Sequence, residues 1–564
     1  MQIPSVPAAE PAQAQLPAPI ERLATGVTAF VGRALKGPLN TATPISCFAE
    51  FQRQFGGLWQ PATLGYAVEQ YFECGGRQAL IVRVANGARA ATLRLPAGNG
   101  ELLMQGRQPG TREYLRASVD YDGIGAADAD QFNLVLQRLQ LPGSELVEAQ
   151  EIMSRVSVLP GSERSIERLL VRSRLVRLVG TLPAERAART LPTRSAGATG
   201  YVAANSDGAD GTDLTDYDLI GEAAAGTGLF ALCGGPRFDL LCVPPLSRDR
   251  NIGMATLHVA TRLCRAQQAL LLVDPPASWD SIDAAIDGAT HWVFQSEQAV
   301  LYFPRLMAPD RLRGRTEVFA GCGAAAGLIA RGDEASPLWS PAAGETPLLR
   351  APLRPQFVLD ELQRARLAQL GVNCFDLVRP GSGAVRSART LLAENAARGE
   401  SRYLPARRLT LWLQSCVLEG TRWTRLTDGG PGQWQSVHAQ VEAFLEGLAG
   451  EGAFAGRDSE ERYFVICDAR LNPAAAVAQG RCRLLFGFAV WRPGEFQSCL
   501  VTHERSGSSV RAVTINRLAT SGARVTEEIE TAILRQLAAA PATGYTSMPA
   551  AGSRRQSMIA PREP

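Results

Sequence analysis

The sequence predicts a multidomain chain of mixed α/β and α+β type. It reads as an α/β middle domain, a small mainly β insertion domain, a C-terminal α+β domain, and extended arms at both ends. Three observations predict it. Short apolar runs alternate with helical spacing over residues 21–95 and again over 201–353, as in a helix-covered parallel sheet. Residues 96–200 break instead into strand-like pieces between Gly, Asp and Pro turns. From 354 to 505, two helices with a 3.6-residue apolar period precede strand-like runs.

The elements follow in chain order. Residues 1–20 are rich in Pro, Ala and Gln and form an arm, either disordered or ordered on a neighbour. Gly26-Val-Thr-Ala-Phe-Val-Gly32 is a buried strand between glycines, and Ile45 to Phe55 reads as helical. Leu64, Val68, Tyr71 and Phe72 recur at helical spacing until Gly75-Gly76 ends the helix. Ala79 to Val84 is the next strand. Arg116–Val119 and Phe132–Leu136 are strands of the insertion, and Ser206 to Asp213 is a turn-rich connector. The runs 238–243 and 269–273 each end in a prolyl turn and flank a helix over Met254 to Gln268. Helices are predicted over 408–418 and 434–449, strands over 463–467, 483–491 and 496–501, and a last helix over 525–538. Residues 506–564 form a C-terminal extension, a strand or helix followed by a flexible Ala, Pro, Ser and Arg tail.

Composition excludes several function classes. The 564 residues carry 46% hydrophobic and 20% charged side chains, and the net charge is only +3, which argues against nucleic acid or an anionic membrane as partner. The single lysine, Lys36, is followed by Gly37-Pro38, so no phosphate-binding Gly-Lys-Ser/Thr loop exists. None of the 11 cysteines forms a CxxC pair. Several lie in apolar runs as small buried hydrophobes, which suits a reducing cytoplasm. The first residues show no basic-then-apolar signal pattern, and no window approaches a membrane span, so cytosolic synthesis is expected.

The candidate chemical motifs are weak. Gly321-Cys-Gly323-Ala-Ala-Ala-Gly327 follows a possible strand like a dinucleotide loop, but the helix after it has room for only a couple of turns before Gly332. Close helix packing is the favoured reading. Asp207, Asp210 and Asp213 are three apart, unlike the alternating oxygen ligands of a calcium loop. Cys499 and His503 are four apart, with no second pair to complete a zinc site. No GxSxG elbow appears. No catalytic residue, cofactor or metal site is therefore predicted. The loop Val378 to Leu391 holds Arg379, Arg386 and Arg389 beside Gly381 and Gly383. It reads as a structural turn followed by a strand, its arginines pairing with carboxylates within or between subunits.

An ordered set of segments resembles contractile tail sheath proteins. Gly26 to Arg33 with Gly37-Pro38, Phe48-Ala-Glu-Phe51, Phe55-Gly56-Gly57, Leu64 to Val68, Gly75-Gly-Arg77 and Ile81 to Val84 resemble the family's opening. Gly371-Val-Asn373, Arg379-Pro380 and Ala388 to Leu391 resemble its C-terminal hallmark, and Arg407-Arg-Leu409, Glu419-Gly-Thr421 with Trp423, Val441 to Leu448 and Arg492 to Phe496 extend the match. The family includes the sheaths of phage tails, R-type pyocins and extracellular injection systems.

The resemblance implies a non-enzymatic protomer that self-assembles in hexameric rings, stacked as a helical sleeve around an inner tube. It implies baseplate and cap proteins as further partners, with no nucleic-acid contact and no membrane insertion. The product is a component of a virion tail or injection particle. The 354–505 domain would face the tube, with Glu442 and Glu446 on the exposed side of its 434–449 helix. The insertion would face outward, and the arms would add strands to a neighbour's sheet. Residues after 505 exceed the family pattern, so the exchanged C-terminal segment is either 496–516 or one nearer the end. The alternatives are a soluble α/β enzyme using the 321–327 loop, and a non-contractile baseplate or capsid-type component.

Overall fold

The computed structural model describes residues 18–190, 200–339, 348–349, 352–377, 388–393, 400–427, 429–513 and 534–535. Its centre is a seven-stranded sheet of β1 (Thr28–Gly32), β2 (Thr43–Ile45), β3 (Ala79–Arg83), β4 (Leu240–Cys242), β5 (Leu270–Val273), β6 (Ala299–Phe303) and β9 (Val372–Cys374). The strand order is β9-β6-β5-β4-β1-β3-β2, and every pair is parallel except β2 with β3. Between β6 and β9 the chain forms a hairpin of β7 (Leu306–Asp310) and β8 (Arg315–Phe319).

Strand periodicity explains why these runs are apolar throughout. Phe30, Ile81, Leu240, Leu272 and Val300 point to one face, where helices α1 (Phe48–Phe55), α2 (Leu64–Glu73) and α5 (Cys322–Ala335) cover them. Ala29, Val82, Leu241, Leu271 and Leu301 point to the other, under α3 (Met254–Ala266), α4 (Ile282–Thr290) and α6 (Glu361–Gln369). A sheet buried on both faces has no solvent-facing positions to fill with polar residues.

The insertion has its own core. Strands 92–97, 100–106 and 176–178 form one antiparallel sheet, and 202–203, 114–120, 131–139 and 147–157 form a second. Leu93, Leu102, Leu134, Phe132 and Val156 fill the space between, beside a short helix Ile166–Arg172.

In the C-terminal unit, helices α7 (Leu404–Gly420) and α8 (Pro431–Gly450) cover one face of an antiparallel meander. Its strands are β10 (Tyr463–Ile466), β11 (Cys482–Ala489), β12 (Phe496–Glu504) and β13 (Gly507–Val513), in that order. The chain reaches β1 by first crossing this unit. Ile20 is buried there, Gln440 donates to the Ala18 carbonyl, and Trp412 Nε1 donates to the Leu23 carbonyl at 2.9 Å.

Several sequence expectations are corrected. The 45–55 helix is a strand ending at Ile45 and a helix starting at Phe48. The 408–418 helix begins four residues earlier, where Pro405 fits the first turn, and continues to Gly420. The boundary at 354 separates β9 from the sheet it joins at Leu301–Phe303. Strand β13 lies in the 506–564 extension, read from sequence as a strand or helix before a flexible tail; Gly507–Val513 is polar and half-exposed, without the apolar run of its neighbours. The 525–538 helix lies outside the described residues except for 534–535, as do 1–17 of the N-terminal arm.

Candidate functional site

Strands β1 and β4 are neighbours from which the chain winds in opposite directions, the position where open α/β sheets bind ligands. Past the C-terminal ends of β4, β5 and β6, side chains pack closely. Arg248 pairs with Asp310 and, at 3.2 Å, with Glu317, and its guanidinium lies 4.7 Å from the Phe319 ring centre. Tyr66 OH approaches Asp310 at 3.3 Å. Arg305 donates to the carbonyls of Pro275 at 3.0 Å and Arg248 at 2.9 Å. The cavity left among Thr63, Tyr66, Arg248 and Phe319 is about 20 Å³, enough for one water.

The glycine loop is no loop. Gly321 precedes α5, and Cys322 to Gly327 form its first turns; the helix runs through Gly332 to Ala335. A Cβ on Gly323 would lie 1.9 Å from the Ala67 carbonyl oxygen, and one on Gly327 2.3 Å from that of Tyr71. The glycines therefore let α5 lie against α2. The helix N-terminus is already occupied: Asp274 Oδ1 accepts from the N–H groups of Gly321 and Cys322, both at 2.8 Å. Burial pushes the Asp274 carboxyl up, against those hydrogen bonds. An anion placed there would meet this carboxylate.

The other motifs are also used internally. Asp207 accepts from Thr92 N at 2.8 Å, Asp210 from Thr111 N at 2.7 Å, and Asp213 pairs with Arg33 at 3.0 Å. Cys499 accepts from Gln414 at 3.2 Å, while His503 contacts Thr421 Oγ1 at 2.8 Å and Ser508 Oγ at 2.7 Å. Among the described residues no group of three His, Cys, Asp or Glu is placed to hold a metal, and no helix is long and apolar enough to cross a membrane.

The insertion also holds a cavity of about 870 Å³ lined by Glu113, Arg116 and Tyr201, and the other candidates lie on the surface. Helix α8 buries Val437, Val441, Leu445 and Leu448 and leaves Glu442 and Glu446 outward on the opposite side. His438 is half-buried and lies 3.5 Å from Glu442. Tyr463 OH donates to Glu446 Oε2 at 2.5 Å, so this carboxylate also ties α8 to β10. Arg389 lies elsewhere, in a bridge to Tyr403, with its guanidinium 5.5 Å from that ring. Asn373 holds its backbone on both sides, accepting from Arg389 N at 2.7 Å and donating to its carbonyl at 2.8 Å. Arg379 and Arg386 lie outside the described residues.

Sequence reasoning missed two buried arginines in α7. Arg408 grips Asp333 of α5 through both guanidinium nitrogens, and the side chains are 8% and 5% exposed. Burial opposes the Arg408 charge, but Asp333 outweighs it and holds the pKa above its ordinary value. Arg407 pairs with Glu297 at 3.0 Å, and burial lowers its pKa. These pairs join the C-terminal unit to the parallel-sheet body. The only sequence signal was two adjacent arginines inside an apolar helix.

No protein family and no curated protein matches the sequence. Among solved structures, the fold matches the sheath of an extracellular contractile injection system, PVC, in its contracted state. The TM-score is 0.50 at 15% identity, over 88% of this chain and 97% of that one. It also matches a sheath tail protein of Listeria innocua, at TM-score 0.52 and 11% identity, over 86% of this chain and 94% of that one. At these identities the shared property is the fold.

Proposed function

We propose that this chain is the structural protomer of a contractile sheath. It polymerises as a helical sleeve around an inner tube and shortens to drive that tube through a target envelope. The observation that carries this reading is the extent of the fold likeness, which takes in 97% of the contracted PVC sheath chain. Asp274 on the N–H groups of Gly321 and Cys322 weighs against the enzyme alternative's use of the 321–327 loop. With no phosphate-binding lysine loop, the energy for contraction is stored when the lattice assembles and released as subunits repack.

In this reading the chain binds copies of itself in stacked hexameric rings, and also the tube, baseplate and cap proteins. Glu442 and Glu446 on α8 meet the tube, and Arg379, Arg386 and Arg389 lie at subunit contacts. The meander β10–β13 supplies the edges that neighbouring arms extend, since among the described residues β13 pairs only with β12. Residues 1–17, and those after Val513, are the arms.

Electron microscopy of the full chain, alone and co-expressed with its tube protein, tests the proposal. Hollow striated cylinders are expected. Monomers or small closed oligomers in every condition would overturn it. Removing residues 1–17 retains Ile20 in its pocket, so the truncated chain is expected to fold yet fail to build a stable sleeve. Normal polymerisation of that truncation would remove the N-terminal arm from the mechanism.

A further inference from the structure

Two of the 11 cysteines, Cys467 and Cys482, lie together at one end of the C-terminal meander. Cys467 directly follows β10, and Cys482 opens β11. The register pairs Ile466 with Leu485, which brings Cys467 opposite Leu484. Cys482 is two residues from Leu484 on the same strand and therefore shares its face. Both side chains enter the core beneath α7 and α8, only 5% and 4% exposed. Each thiol shifts the other's pKa, Cys467 up and Cys482 down, and Cys467 Sγ donates to the Arg483 carbonyl at 3.5 Å.

The backbone around the pair is held independently of the sulfurs. Arg483 N donates to Asn472 Oδ1 at 2.6 Å, and Asn472 Nδ2 donates to the Arg483 carbonyl at 2.9 Å. Asn472 is itself 1% exposed. This clamp closes the segment between the cysteines, so the sulfurs are brought together without needing a bond of their own. The neighbouring Cys467 thiol holds the Cys482 thiol below its ordinary pKa, against the opposing effect of burial, the direction that favours a nucleophilic thiolate.

We propose that Cys467 and Cys482 are an oxidisable pair, converted by hydrogen peroxide into a disulfide that staples edge strand β10 to β11. The Cys482 thiolate attacks one peroxide oxygen and the O–O bond breaks. A sulfenic acid forms on Cys482, and the departing hydroxide takes up the thiol's proton as water. The Cys467 sulfur then attacks the Cys482 sulfur and displaces its hydroxyl, which leaves with the Cys467 proton as a second water. Two thiols lose two electrons and two protons, and the peroxide gains both. Burial slows attack by large disulfide oxidants but admits a small peroxide when the strand end opens. Cys47, exposed at the start of α1, is a natural internal control.

The full-length native protein is treated with hydrogen peroxide, denatured, alkylated and digested, and its peptides are read by mass spectrometry. A Cys467–Cys482 linked peptide is expected, removed by reductant, together with loss of alkylation at both positions. A rise of a few degrees in Tm should accompany oxidation of the native sequence. It should be absent in Cys482→Ser, whose Cys467 stays alkylatable. Equal alkylation of both residues with and without peroxide would overturn the proposal, as would linkage of either to a different cysteine. The peptide readout on the native sequence does not depend on any variant folding.

Discussion

In the parallel-sheet body, helices α2 and α5 approach so closely that Gly323 has no room for a single added carbon, which would sit 1.9 Å from the Ala67 carbonyl oxygen. In the C-terminal unit, helix α8 carries Gly432, Gly447 and Gly450, and nothing lies within 4 Å of a Cβ at any of them. The same residue type marks dense packing where α5 meets α2 and open surface along α8. The difference separates a helix seam built to resist deformation from a helix face left open. An interior at crystal-like density transmits displacement instead of absorbing it, which the proposed contracting lattice would need.

The largest effect is expected where the two regions join. Asp333→Ala leaves Arg408 charged, buried and without its bidentate partner, and should cost roughly 3–5 kcal/mol in chemical denaturation. If denaturation is unchanged, the pair does not couple the C-terminal unit to the body. Inside the body, Gly323→Ala forces α5 away from α2 and should cost about 3 kcal/mol. The matching change on α8, Gly447→Ala, should instead stabilise by about 0.5–1 kcal/mol, because a solvent-facing helical glycine is replaced without a clash. Effects of equal sign at the two glycines would erase the contrast.

A pH titration sharpens the comparison within the C-terminal unit. His503 is 2% exposed, and burial, with Arg425 and Arg422 nearby, lowers its pKa to about 4. The unfolded chain takes up this proton near 6.5, while the native state resists it until about 4. The neutral ring's contribution is therefore complete above pH 6.5 and lost as pH falls toward 4, by at most about 3 kcal/mol. His503→Gln should flatten the slope of unfolding free energy across that window. An unchanged slope would place the acid sensitivity in other groups.

Much of the body was legible because its strands are covered on both faces. Uninterrupted runs such as Ala269 to Val273 have few other uses in a soluble fold, and the structure places Leu270–Val273 in the sheet. The α8 face was legible from its period, and Glu442 and Glu446 are outward as expected. What was not legible depends on distant partners. The glycine spacing of 321–327 looks the same whether it cradles a phosphate or admits another helix, and only Ala67 and Tyr71 decide between them. Arg408 finds Asp333 75 positions away in sequence. Strand β9 is three residues long, too short to announce that it extends a sheet begun at Thr28.

The smallest effect on folding is expected at the α8 face. Glu442 is exposed, and its contact with His438 is a surface pair, worth little in stability. Glu446 accepts from Tyr463 OH, and a glutamine keeps that acceptor. Glu442→Gln with Glu446→Gln should therefore change unfolding free energy by no more than about 0.5 kcal/mol. The same double variant removes two negative charges from the surface proposed to meet the tube. Its sleeves, examined by electron microscopy after co-expression with the tube protein, should be fewer or should form only at lower salt, where the remaining charges are less screened. A variant that folds and sheathes the tube like the parent would show that the open face of α8 serves some other contact. The contrast with the packed body would then describe stability alone, with no bearing on assembly.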